Sequence, residues 1–86
     1  MASYSILLTR SAAKELERVP TKDRQRIVAR IGTLAGDPRP VGAEKLSGDD
    51  KYRIRQGDYR ILYEIIDAEL IVTVVRIGNR REVYRR

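Results

Sequence analysis

Basic residues at every second position mark where this 86-residue chain has the means to do chemistry. Lys51, Arg53 and Arg55 alternate along one segment, Arg60 follows a Gly57-Asp58 pair, and Arg80, Arg81 and Tyr84 stand near the C-terminus. A guanidinium is planar and carries its N–H groups in a fixed fork, so an arginine bonds two phosphate oxygens at once and holds its charge at any physiological pH. The chain has no histidine and no cysteine. That removes the usual zinc, haem and iron–sulfur ligand sets and the Ser–His–Asp and Cys–His forms of nucleophilic catalysis. What is left is chemistry by fixed cations, with tyrosine or carboxylate as the available proton carriers and no cofactor or metal expected.

Eighteen lysines and arginines against twelve acids give a net charge of +6, which favours a polyanionic partner without saying which one. The excess is concentrated downstream, since residues 51–86 hold nine basic and five acidic side chains against nine and seven before them. At 42% hydrophobic and 35% charged, the composition is too apolar for a disordered chain and too interrupted for a membrane span. Residues 1–86 are expected to form one domain, because so short a chain cannot divide its apolar residues between two cores. The N-terminal segment lacks the basic start and long apolar stretch of a secretory signal, so a cytoplasmic location with no membrane partner is expected.

These side chains need a scaffold, and its elements are legible. Tyr4 to Thr9, with Ile6 and Leu8 on one side, reads as a strand. Ala12, Ala13, Leu16 and Val19 recur at helical spacing, which predicts a helix over 11–19 capped by Thr9 or Ser11 and ended by Pro20. Thr21 caps a second helix with Ile27, Val28, Ile31, Leu34 and Ala35 as its apolar stripe, until Gly36-Asp37-Pro38-Arg39-Pro40 stops it. Val41 to Asp50 reads as a loop anchored by Leu46. The period then changes to two, predicting strands over 51–56, 59–66 and 70–77, with turns at Gly57-Asp58, Asp67-Ala68-Glu69 and Gly78-Asn79 and a last short strand around Glu82-Val83-Tyr84.

The expected fold is therefore α+β: a small antiparallel meander sheet with an N-terminal strand, and a two-helix hairpin packed on one face. Two helices cover only one side, so each strand turns its other alternate set outward. For residues 51–56 that outward set is Lys51, Arg53 and Arg55, with Arg60 and Arg76 following on the neighbouring strands. Tyr52, Tyr59 and Tyr63 fall with the isoleucines and read as core or core-edge aromatics.

Four segments in order, Leu46-Ser47-Gly48, Tyr52-Arg53-Ile54-Arg55, Gly57-Asp58-Tyr59-Arg60-Ile61-Leu62-Tyr63 and Ile77-Gly78-Asn79-Arg80-Arg81-Glu82-Val83-Tyr84, resemble the RelE branch of the RelE/ParE toxin superfamily over essentially the whole chain. The resemblance implies the RelE-like microbial RNase fold and the toxin of a type II toxin–antitoxin pair. It also implies metal-independent cleavage of mRNA in the A site of the ribosomal 30S subunit, by attack of a ribose 2′-hydroxyl on the adjacent phosphate. By the same resemblance Arg53, Arg55, Arg60, Arg80 and Tyr84 are the catalytic set, and Lys51 and Arg81 join Arg53, Arg55 and Arg60 as RNA contacts. A cognate antitoxin is the implied protein partner, through which the complex would bind operator DNA.

In-line attack needs cations on the phosphate, a base for the hydroxyl proton and an acid for the leaving oxygen, and no protein nucleophile. Here the chain departs from its relatives, which often carry lysine at the positions of Arg53 and Arg55 and histidine where Asn79 precedes Arg80. An arginine does not give up a proton, so the base stays open between Tyr84 and a carboxylate: Glu44, Asp58 or Glu64. Arg60 has a competing structural role as a partner of Asp58 or Glu64. The rival reading within the superfamily is a ParE-like inhibitor of DNA gyrase without nuclease activity, and a third is a degenerate member that only binds antitoxin.

Overall fold

The computed structural model describes residues 3–46 and 50–79. In chain order these form β1 (Ser5–Leu8), α1 (Arg10–Glu17), α2 (Thr21–Thr33), β2 (Glu44–Lys45), β3 (Lys51–Gln56), β4 (Tyr59–Ile66), a 3₁₀ turn (Asp67–Glu69) and β5 (Ile71–Asn79). The five strands make one sheet in the order β1-β5-β4-β3-β2. From β2 to β5 the sheet is an antiparallel meander, while β1 lies parallel to β5 on the far edge.

Thr9 starts α1, its hydroxyl accepting the Ala12 N–H at 3.1 Å, so the first helix begins one residue earlier than expected and ends at Glu17. Pro20, not Thr21, occupies the cap position of α2; its carbonyl accepts the Arg24 N–H at 2.8 Å, and no side chain caps the helix. The apolar stripe of α2 narrows to Ile27, Ile31 and Leu34. Val28, one step round the helix, is half exposed instead of buried and lines a shallow apolar groove with Ile6, Leu8, Leu16 and Ile31.

Both helices cover the sheet face that carries Tyr52, Ile54, Ile61, Tyr63, Ile65, Val72, Val74 and Ile77, and these side chains with Ile27, Ile31 and Leu34 form one buried cluster. The alternation along β5 is reset once. Leu62 pairs with Arg76 and Tyr63 with Val74, so Val75 is an extra residue, and the buried set passes from Val72 and Val74 to Ile77.

Three expectations about the strands change. The loop over 41–50 contains the short strand β2, because Glu44 pairs directly with Arg53 and Lys45 with Tyr52. Leu70 is no strand residue: it takes a left-handed conformation with φ 54° at the end of the 3₁₀ turn. Gly78 and Asn79, expected as a turn, continue β5 opposite Arg60 and Tyr59. The expected strand around Glu82-Val83-Tyr84 lies outside the described residues.

A polar clasp fastens the α2–β2 connection to the helix-side end of the sheet. Arg39 donates from Nε to the Tyr52 hydroxyl at 3.0 Å and from both terminal nitrogens to Asp67 at 3.2 and 2.8 Å, while its guanidinium lies 5.3 Å from the Tyr52 ring centre. Tyr4 donates to the same carboxylate at 2.6 Å. Two donors, Arg39 first, hold the Asp67 carboxyl down at about 2. Tyr63, stacked on Tyr52, donates to the Pro38 carbonyl at 2.7 Å, and burial pushes its phenol up to about 12.

Candidate nucleic-acid interface

The sheet face away from the helices carries the basic row. Its strand pairs set Lys51 opposite Glu64, Arg53 opposite Leu62 and Arg55 opposite Arg60. Like charges directly opposite one another in an antiparallel pair are destabilising, so Arg55 across from Arg60 is an arrangement that an anion between them would relieve. The hairpin that sets this register turns at Gly57, whose φ of 61° a side chain would strain.

The side chains differ in their surroundings. Arg55 is exposed. Arg60, expected as an open clamp, is only 3% exposed; Gly78 opposite it brings no side chain to compete for the same space. A guanidinium that enclosed is held in place by its surroundings and presents little surface to solvent. Glu64 is partnered by Lys51 at 3.8 Å, both side chains partly exposed.

Arg53 is held by Glu44. The carboxylate Oε1 accepts from Nε at 3.0 Å and from Nη2 at 2.5 Å, with 17% of the Arg53 side chain and 52% of that of Glu44 exposed. That pairing, and to a smaller extent the charges of Arg55 and Arg60, holds the Glu44 carboxyl below the usual range. Of the carboxylate base candidates, Glu44 is therefore the one inside the cationic cluster and also a weak base. Asp58 sits exposed in the β3–β4 turn.

Arg76 belongs elsewhere. Its Nε lies 3.2 Å from Glu15 Oε2 without the alignment of a hydrogen bond, and Glu15 Oε1 accepts the Ile77 N–H at 2.8 Å. Glu15 thus takes up a donor on the part of β5 that extends past the end of β1. A polar cavity of about 450 Å³ lies between α1 and this end of β5, lined by Glu15, Arg18, Tyr59, Arg76 and Asn79 among others. Its lining joins Val19, Tyr59 and Ile77 to Arg76 and Gly78, which stand opposite Leu62 and Arg60 in the sheet.

Arg80, Arg81 and Tyr84 lie outside the described residues. Among the described residues no group of three or more acidic, histidine or cysteine side chains is placed to hold a metal, and no helix is long and apolar enough to cross a membrane. Sequence reasoning weighed Glu44 only as a proton carrier and missed it as the partner of Arg53. The signal was the two-residue match of β2 to β3, too short to stand out from a loop. It also passed over Arg39, whose partners are 13 and 28 residues away.

The sheet is thus a meander with one parallel edge strand, a helical hairpin on one side and a cationic row on the other. The family model described as the ParE toxin of the type II toxin–antitoxin system parDE matches residues 6–84. Toxin RelG of Mycobacterium tuberculosis is 31% identical over 96% of this chain and 98% of its own length. The mRNA interferase toxin RelE of Escherichia coli is 31% identical over 95% and 90%. The crystal structure of the RelBE2 toxin–antitoxin complex from M. tuberculosis superposes with a TM-score of 0.81 at 26% identity, covering 92% of this chain and all of that one. A double arginine-to-alanine variant of E. coli RelE in the free state also gives 0.81, at 25% identity over 98% and 92%. The chain belongs to the RelE/ParE superfamily of type II toxins, on its RelE branch.

Proposed function

We propose that this protein is the toxin of a type II toxin–antitoxin pair and an mRNA endoribonuclease acting in the ribosomal A site without a metal. The observation that carries the reading is the register that sets Arg55 opposite Arg60 beside Arg53 on the sheet face opposite the helices. Arg53, Arg55 and Arg60 bind the scissile phosphate and stabilise the charge that develops as the 2′-hydroxyl attacks. Arg80 follows directly on β5 and adds a fourth cation, Lys51 and Arg81 hold the flanking backbone, and Tyr84 stacks on a base or orients the hydroxyl. Glu44 is acidified by its arginine neighbours, which weakens it as the proton acceptor and leaves that role between Tyr84, Asp58 and Glu64. The relative named an mRNA interferase supports this activity, and the related toxin–antitoxin complex supports a cognate antitoxin as partner.

The family model's ParE description favours a second reading, gyrase inhibition. Expression of the wild type and Arg80→Ala in a sensitive bacterium, with mRNA 5′ ends mapped as growth stops, separates the two. New ends at ribosome-occupied codons with the wild type alone are expected. Growth arrest with intact mRNA and accumulating DNA damage overturns the nuclease in favour of gyrase.

A further inference from the structure

The Glu44–Arg53 contact lies where a substrate phosphate would bind. Nε and Nη2 form the edge through which an arginine grips a phosphate, and in Arg53 both point at one carboxylate oxygen. That carboxylate faces the same cluster from which Arg55 and Arg60 act on it. Its support is slight. Glu44 sits on a two-residue edge strand that meets β3 through Glu44–Arg53 and Lys45–Tyr52, continued by the Leu46 N–H donating to the Lys51 carbonyl at 2.8 Å, and the preceding chain contains a fully exposed Val41 and Gly42 at φ 96°. Half of the Glu44 side chain is exposed, against 17% of that of Arg53, so water already competes for the carboxylate side of the pair.

We propose that Glu44 is a resident anion on Arg53 that the RNA phosphate must displace, and that it thereby sets the threshold separating well-positioned substrate from loose polyanion. The proposal rests on the nuclease reading for the identity of the displacing group. With Glu44 in place, an RNA phosphate gains the Arg53 fork only by releasing a carboxylate already bonded to it. Casual contacts with free RNA gain little. A phosphate held in position by other contacts, as on a ribosome, competes effectively because its local concentration is high. Glu44 acts on affinity through Arg53, as a specificity-determining neighbour of the phosphate clamp.

The test uses the purified chain and a short 2′-O-methyl RNA, which has phosphates and bases but no attacking hydroxyl. Glu44→Gln keeps the shape and removes the charge, and Asp58→Asn removes one charge from the β3–β4 turn without touching Arg53. Glu44→Gln is expected to bind roughly two- to five-fold tighter than wild type, with Asp58→Asn changing less. The slope of log K against log salt is expected to steepen by up to about 0.7, one phosphate's worth for a single strand. In wild type, titration should shift the Arg53 Nε–H and the Glu44 carboxylate carbon resonances together. RNA binding that leaves the Glu44 resonance in place, or a Glu44→Gln variant no tighter than Asp58→Asn, overturns the proposal and leaves the nuclease reading standing. Failure of wild type and Glu44→Gln alike to bind RNA also overturns the proposal, while the mapping of mRNA 5′ ends decides the nuclease reading on its own.

Discussion

Single side chains on the basic face divide by burial. Arg55 is exposed and Arg60 is enclosed at 3% exposure, although the two stand directly opposite in the β3–β4 register. Arg55→Ala should therefore separate function from stability. On the proposed function it removes one phosphate contact, and it removes one of two opposed like charges, so the unfolding free energy should stay within about 0.5 kcal/mol of wild type, the range of a surface change. RNA binding should weaken, and the salt slope should fall by about 0.7. A thermal melt beside a salt series of binding isotherms checks both. Equal loss of stability and binding would mean that Arg55 is structural. Arg60→Ala is a less clean test, because emptying an enclosed site disturbs packing as well as charge.

The elements matter through their register. Gly57-Asp58 closes the β3–β4 hairpin, and a one-residue slip there would turn Lys51, Arg53 and Arg55 into the core and Tyr52 and Ile54 into solvent. Gly57 sits at φ 61° with open space around the position of a Cβ, so Gly57→Ala has no clash to relieve and suffers only backbone strain. The expected cost is about 1 kcal/mol, with Gly57→Asn tolerated better because asparagine visits this region more easily. Urea unfolding of the two variants measures the difference. On the other side, Glu15 of α1 occupies the Ile77 N–H beyond the end of β1, so the helix holds the strand segment that leads into Arg80.

For the molecule as a whole, the clasp of Arg39, Asp67, Tyr52 and Tyr4 ties the α2–β2 connection to the sheet and makes stability depend on acid. Asp67 is held at about 2 in the folded protein and titrates near 4 when unfolded. A depressed carboxyl contributes stability that is complete above its unfolded value and is lost as pH falls through the folded one. The melting temperature should thus decline between about pH 4 and pH 2, and Asp67→Asn should be lower at neutral pH and flatter over that window. Parallel wild-type and variant curves would show that other carboxylates govern the acid response.

The outline of this protein was decided by local sequence. Prolines and glycines punctuate it, apolar residues repeat at helical spacing up to Leu34 and at every second position after Lys51, and alternation alone puts Arg53 and Arg55 on the side opposite Tyr52 and Ile54. These are properties of neighbours in the chain, and backbone geometry converts them directly into faces. Distant pairings were decided only by the tertiary structure. β1 joins β5 in parallel across more than sixty residues, Val75 bulges and resets the core pattern, Glu44 finds Arg53, and Asp67 gathers Arg39 and Tyr4. Strand register and the choice among oppositely charged partners depend on how whole faces pack, and neither is written into any one segment.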